Sequence, residues 1–226
     1  MKKPGLWQKF SNLVSDSSPL MTWVGQVALL AVCNLCWLVC SLPVITTGAA
    51  TTALYAVLLE RRGMSFDAAF TTFFRAFRRC FRTATVLWLP ALALGAAWVW
   101  SAWLTVSRGL TNNAFALLPL LVSGAIWMFT LSWAFPLLAA GCRGVGHLVR
   151  KSFLLGLGEL WRSLVMLAAD LLPLVLFVLY ARTFMFLAGF WVLLGFALIA
   201  LVKLLVMEPL LRRHVPGNSS KGSPWT

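Results

Sequence analysis

The sequence predicts an all-α fold: a polytopic transmembrane helix bundle carrying a cytoplasmic interfacial amphipathic helix. Three observations point there. Apolar residues fill 61% of the 226 positions and charged residues only 11%, whereas a soluble domain carries about 25% charged residues. Runs of about 20 apolar residues, the length that crosses a hydrocarbon core, recur along the chain. Basic residues gather between particular runs rather than spreading evenly.

The elements follow in order. Residues 1–19 are polar and basic, with Lys2, Lys3 and Lys9. The first span is 20–43; it is long for a signal-peptide core and no small-x-small cleavage site follows, so it reads as retained. Residues 44–59 (VITTGAATTALYAVLL) are short for a span and rich in Gly, Ala and Thr, which let helix backbones approach closely in lipid. They read as a short, protein-enclosed crossing or as a re-entrant helix. Further spans are 84–106, with Pro90 near its start, and 114–140, long enough to tilt. Residues 164–181 and 185–207 form a closing hairpin. Residues 1–211 thus make a single transmembrane helical domain, and 212–226 (RRHVPGNSSKGSPWT) a disordered cytoplasmic tail.

Charge orients the chain. With six crossings and both termini inside, 16 of the 19 basic residues fall on the cytoplasmic side, in the N-terminus, residues 60–83, residues 141–163 and the tail. Only Arg108 and Arg182 lie outside, and Lys203 is within the last span. Basic residues concentrate on cytoplasmic loops, so six spans are preferred over five plus a re-entrant helix. The same map explains the net charge of +13 without nucleic acid.

Residues 66–82 (FDAAFTTFFRAFRRCFR) are amphipathic. At 100° per residue, Phe66, Phe70, Phe73, Phe74, Phe77 and Phe81 share one arc, and Arg75, Arg78, Arg79 and Arg82 occupy the opposite side. This is the pattern of a helix lying in the membrane interface. It serves as a topology anchor or as a surface for anionic lipid head groups or an acidic partner. A loose internal echo pairs Pro43 with Pro136, Phe73 with Phe153, Arg82 with Arg162 and Pro90 with Pro173, with intervening lengths that differ by 13 residues. Such pairing can mark a duplicated transporter half or shared membrane composition.

Asp170 and Lys203 are the notable charges within spans, and intramembrane ionisable residues are costly and often functional. Both fall at comparable depth in the last hairpin. They pair with each other, snorkel to the interface, or serve a substrate or proton. Asn34 is a lesser candidate, for an interhelical hydrogen bond. Cys33, Cys36 and Cys40 share a face of the first span without a fourth metal ligand, and read as reduced core thiols. The only histidines are His147 and His214, and GCRGVGHLVRKS lacks the Gly before Lys of a phosphate-binding loop. No nucleophile–base set stands out, so neither catalytic, metal nor cofactor-binding residues are expected, and the protein reads as a non-enzyme.

The block GLWQKFSNL, then NLCWLVCSLPVITTGAATTALYAVLL and FTTFFRAFRRCFRTATVLW, resembles the YesL-like family of bacterial membrane proteins of unknown function. The likeness is sharpest in Ser41–Tyr55 and the Phe/Arg segment and covers roughly residues 5–90. It implies a bacterial inner-membrane protein and an accessory role in carbohydrate uptake, with transporter subunits as partners. The alternative is a small transporter or channel using Asp170 and Lys203.

Overall fold

The computed structural model describes residues 19–61, 64, 66–109, 113–141, 144–180 and 188–214; among them every regular element is helical. The elements are α1 (Pro19–Ser41), a 3-10 turn (Val44–Thr46), α2 (Thr47–Glu60), α3 (Phe66–Ser107), α4 (Ala114–Ala139), α5 (Val145–Gly158) and α6 (Leu160–Leu179). The chain closes with α7 (Ala188–Phe190), a π turn (Trp191–Gly195) and α8 (Phe196–His214). Five stretches are long and apolar enough to cross a membrane: Val24–Ser41, Asp67–Ser107, Leu117–Ala139, Leu160–Phe177 and Trp191–Pro209. Val44–Glu60 is apolar but shorter.

The short α2 forms the centre. All residues from Thr52 to Leu58 are buried, as are Gly48, Ala49 and Ala50. Its small side chains explain why. A Cβ on Gly48 would lie 2.6 Å from Cβ of Trp88 on α3, so only glycine permits that approach. Its threonine hydroxyls return to the backbone, Thr51 donating to the Thr47 carbonyl (2.8 Å) and Thr52 to that of Gly48 (2.9 Å). Both hydroxyls are thereby satisfied within the helix. At the α1–α2 reversal, the Thr46 hydroxyl donates to the Cys40 carbonyl (2.6 Å), and the Trp37 indole reaches Thr51 Oγ1 (3.1 Å).

Three expectations are corrected. The amphipathic stretch 66–82 and the span 84–106 are one continuous helix of 42 residues, about 63 Å long at 1.5 Å per residue. No helix breaker separates them; Pro90 falls inside the apolar half, where transmembrane helices tolerate proline. Second, the stretch 141–163 is not a simple loop. It contains α5, which lies antiparallel to α4 with Gly156 against Phe129. Third, α8 continues through Arg212 and Arg213 to His214, so the helix outlasts residue 211; residues 215–226 lie outside the described residues.

The α3–α4 hairpin interlocks through a reciprocal pattern, Gly95-x-x-Trp98 against Gly124-x-x-Trp127. The Trp127 ring occupies the space a Cβ on Gly95 would fill (2.8 Å), and the Trp98 ring does the same at Gly124 (2.8 Å). The Trp98 indole then donates to the Leu120 carbonyl (2.8 Å).

The internal echo also meets the structure. The 13-residue excess of the first half matches the length of α2, 14 residues. Because α2 intervenes, α1 and α3 both run antiparallel to it, whereas the matched α4 and α5 run antiparallel to each other. Among the described residues the two halves therefore differ by one helix.

Candidate functional site

The polar centre of the bundle is built by α4, α6 and α8. On α8, Ala197, Ala200, Lys203, Leu204 and Met207 are buried, and their spacing of three and four residues defines one inward helix face. Lys203 is only 7% exposed. Its Nζ donates to Asp170 Oδ2 on α6 at 2.6 Å and to Ser132 Oγ on α4 at 3.3 Å. Ser132 Oγ in turn donates to Asp170 Oδ2 at 3.0 Å. A hydroxyl has one donor and two acceptor positions, so Ser132 serves both charges at once. Three helices thus converge on one ion pair, in which the Lys203 side chain is 8% and the Asp170 side chain 23% exposed. Losing one partner of such a pair leaves an uncompensated buried charge, which costs about 3–5 kcal/mol.

Upstream on the same helix run is a second polar lock. The π turn Trp191–Gly195 shifts the backbone out of α register. Fully buried Asn34 of α1 engages the affected groups. Its Nδ2 donates to the carbonyls of Val192 (2.6 Å) and Trp191 (3.3 Å), and its Oδ1 accepts from the Ala197 N–H (2.8 Å). Gly195 is required there, because the Trp191 ring covers its Cα and leaves no room for a Cβ. Nothing in the hydropathy of 188–200 signals this turn; the sequence clues are a buried Asn in an apolar helix and a Gly four residues after a Trp.

A third contact ties α5 and α6 to α4. The indole of Trp133, fully buried, donates to Ser163 Oγ (2.9 Å), which donates to the Gly156 carbonyl (2.8 Å). Cys33 and Cys80 are buried and Cys36 and Cys40 half-buried, all four as free thiols; Cys142 lies outside the described residues.

The Phe/Arg segment divides differently from the expectation. The phenyl rings form a ladder, with Phe70–Phe74 centroids 4.8 Å apart and Phe77–Phe81 5.6 Å apart. Phe73 is fully enclosed, and Phe74, Phe77 and Phe81 pack against the core; only Phe70 is half exposed among those described, and the side chain of Phe66 lies outside the described residues. A helical wheel identifies an apolar arc but not what covers it. Here much of that arc meets protein, because α2 packs antiparallel along α3, with Gly48 beside Trp88 and with Ala56 and Glu60 beside Thr72 and Arg75. Arg75, Arg78, Arg79 and Arg82 are exposed.

Residues 30–102, about one third of the chain, match a family described as "Protein of unknown function, DUF624". That stretch runs from the middle of α1 through α2 and most of α3. No curated protein and no solved structure matches the chain. The five long apolar helices fit a multi-pass membrane protein, and the family matched over residues 30–102 has no known function.

Proposed function

We propose that this protein is a six-pass, non-catalytic accessory or scaffolding subunit of a bacterial inner membrane, with both termini cytoplasmic. The observation that carries the scaffolding role is the Asp170–Lys203–Ser132 network. Its charged groups satisfy each other across three helices, and the open groove along residues 70–79 of α3 lies apart from it. A pair closed in this way fastens helices rather than waiting for a solute.

The charge map supports the topology, and so does the burial of α2. A helix and 3-10 turn of 17 residues, about 25 Å long, fits a short pass when protein shields it. α3 then crosses at a tilt. Arg75, Arg78, Arg79 and Arg82 snorkel to the cytoplasmic head groups, and the exposed Trp100 and Trp103, with ring centroids 5.2 Å apart, stand in the opposite aromatic belt. The partner class follows from the resemblance over residues 5–90: subunits of a carbohydrate transporter. Pull-down in a mild detergent is expected to recover such subunits, and recovery of none sinks this assignment.

A second reading, a small transporter, rests on the same pair, since an ion pair within apolar helices can also exchange partners during a transport cycle. Reconstituted vesicles decide between the two. Solute flux that disappears in Asp170→Asn, with the protein still folded, favours transport over scaffolding.

A further inference from the structure

We propose that the outer face of α3 between Phe70 and Arg79 binds the phosphate of an anionic glycerophospholipid head group. This rests on the topology above, which puts that end of α3 at the cytoplasmic head-group level.

Phe70, Thr71, Phe74, Arg75, Arg78 and Arg79 line an open groove. Behind it, a narrow crevice is lined by Ala56, Glu60, Thr72, Arg75, Ala76 and Arg79. Arg75 and Arg79, one turn apart on α3, therefore border both spaces, and Arg78 joins them at the front. Guanidinium forks bind phosphate oxygens through paired, charge-assisted hydrogen bonds, and three converging on one groove match a phosphate rather than a single carboxylate. The groove also has an apolar wall. Phe70 is 50% exposed and its ring lies 4.8 Å from that of Phe74. A free phosphate has no use for that wall, whereas the glycerol and upper acyl carbons of a lipid do, and this selects the lipid as occupant.

Glu60 gives the proposal its sign test. It reaches the rear crevice from the end of α2, and its buried Oε1 accepts no hydrogen bond among the described residues. Its negative charge faces Arg75 and Arg79 from behind, so an anion arriving in front is opposed by it. Replacing arginines should weaken head-group binding, and Glu60→Gln should strengthen it.

The test is native mass spectrometry of the full-length protein in detergent, titrated with phosphatidylglycerol or phosphatidylcholine. Phosphatidylglycerol should be retained in preference, and retention should fall about five-fold for each arginine replaced by Gln at positions 75, 78 and 79. The control R108Q/R150Q/K151Q, which removes three cations elsewhere, should retain the lipid as the wild type does, and E60Q should retain more. Circular dichroism identifies any triple variant that fails to fold, in which case the single variant Arg78→Gln decides. Several outcomes overturn the proposal: unchanged retention in the arginine variants, equal loss in the control, arginine-dependent binding of inorganic phosphate without lipid, or arginine-dependent binding of a polyglutamate peptide without lipid. Lipid retention is read without any partner protein, so its failure is distinguishable from failure of the scaffolding role.

Discussion

Asn34 and Ser132 show how much a single polar side chain holds in an apolar bundle. Asn34 satisfies three backbone groups at the π turn. Asn34→Leu keeps the branched shape but strands them, and each buried unsatisfied group costs about 1–3 kcal/mol. The variant should therefore melt well below the wild type in detergent, while the exposed Ser101→Ala should not move; an unchanged melting temperature for Asn34→Leu would show that the clasp carries no weight. Ser132→Ala should be milder, since the Asp170–Lys203 contact at 2.6 Å survives it. Both charges were legible in the sequence because ionisable residues stand out in apolar runs. Ser132 was not, because serine is common in membrane helices and nothing in its neighbours marks it. The expected pairing of Asp170 with Lys203 depended on where the last two spans reverse; residues 181–187 lie outside the described residues.

Among elements, α3 departs most from expectation. Its 17-residue amphipathic start and its apolar remainder differ in composition, and composition suggested a boundary where the backbone has none. The distinction has a measurable consequence. Phe73 is enclosed by protein and Phe70 is half exposed, so Phe73→Ala should cost about 3–5 kcal/mol of stability and Phe70→Ala far less. Equal losses, measured by thermal unfolding in detergent, would mean that the aromatic face lies in lipid throughout. The α3–α4 hairpin offers a second check. Gly95→Val and Gly124→Val each push a tryptophan ring out of its seat, and overpacking of this kind costs about 1–3 kcal/mol. The spacing Gly-x-x-Trp occurs four times in the chain, at Gly95, Gly124, Gly158 and Gly222, so the two copies that interlock do not stand out. Their reciprocal use was not legible, because only the hairpin brings the two copies into register. Likewise α5 was hidden by its cations, Arg150 and Lys151, which made residues 141–163 resemble a solvated loop.

Across the whole molecule, hydropathy made the class of fold and five long helices legible, and the positions of basic residues suggested an orientation. What hydropathy could not give is the role of α2, whose small residues are as consistent with a re-entrant segment as with a pass. Single-cysteine labelling from each side of the membrane addresses this. A cysteine at position 11 and one at position 63 should be reached from the same side, and one at position 108 from the other; labelling of 11 and 63 from opposite faces would leave five passes. The central claim is that the Asp170–Lys203 pair fastens the bundle. Thermal unfolding of three variants, Asp170→Leu, Lys203→Met and the two combined, tests it most directly. Each single replacement leaves one buried charge unpaired, so each should lose about 3–5 kcal/mol, while the double variant, with no buried charge left, should recover most of that loss. Single variants as stable as the wild type, or a double variant losing the sum of both, would contradict a structural ion pair at the centre of the protein.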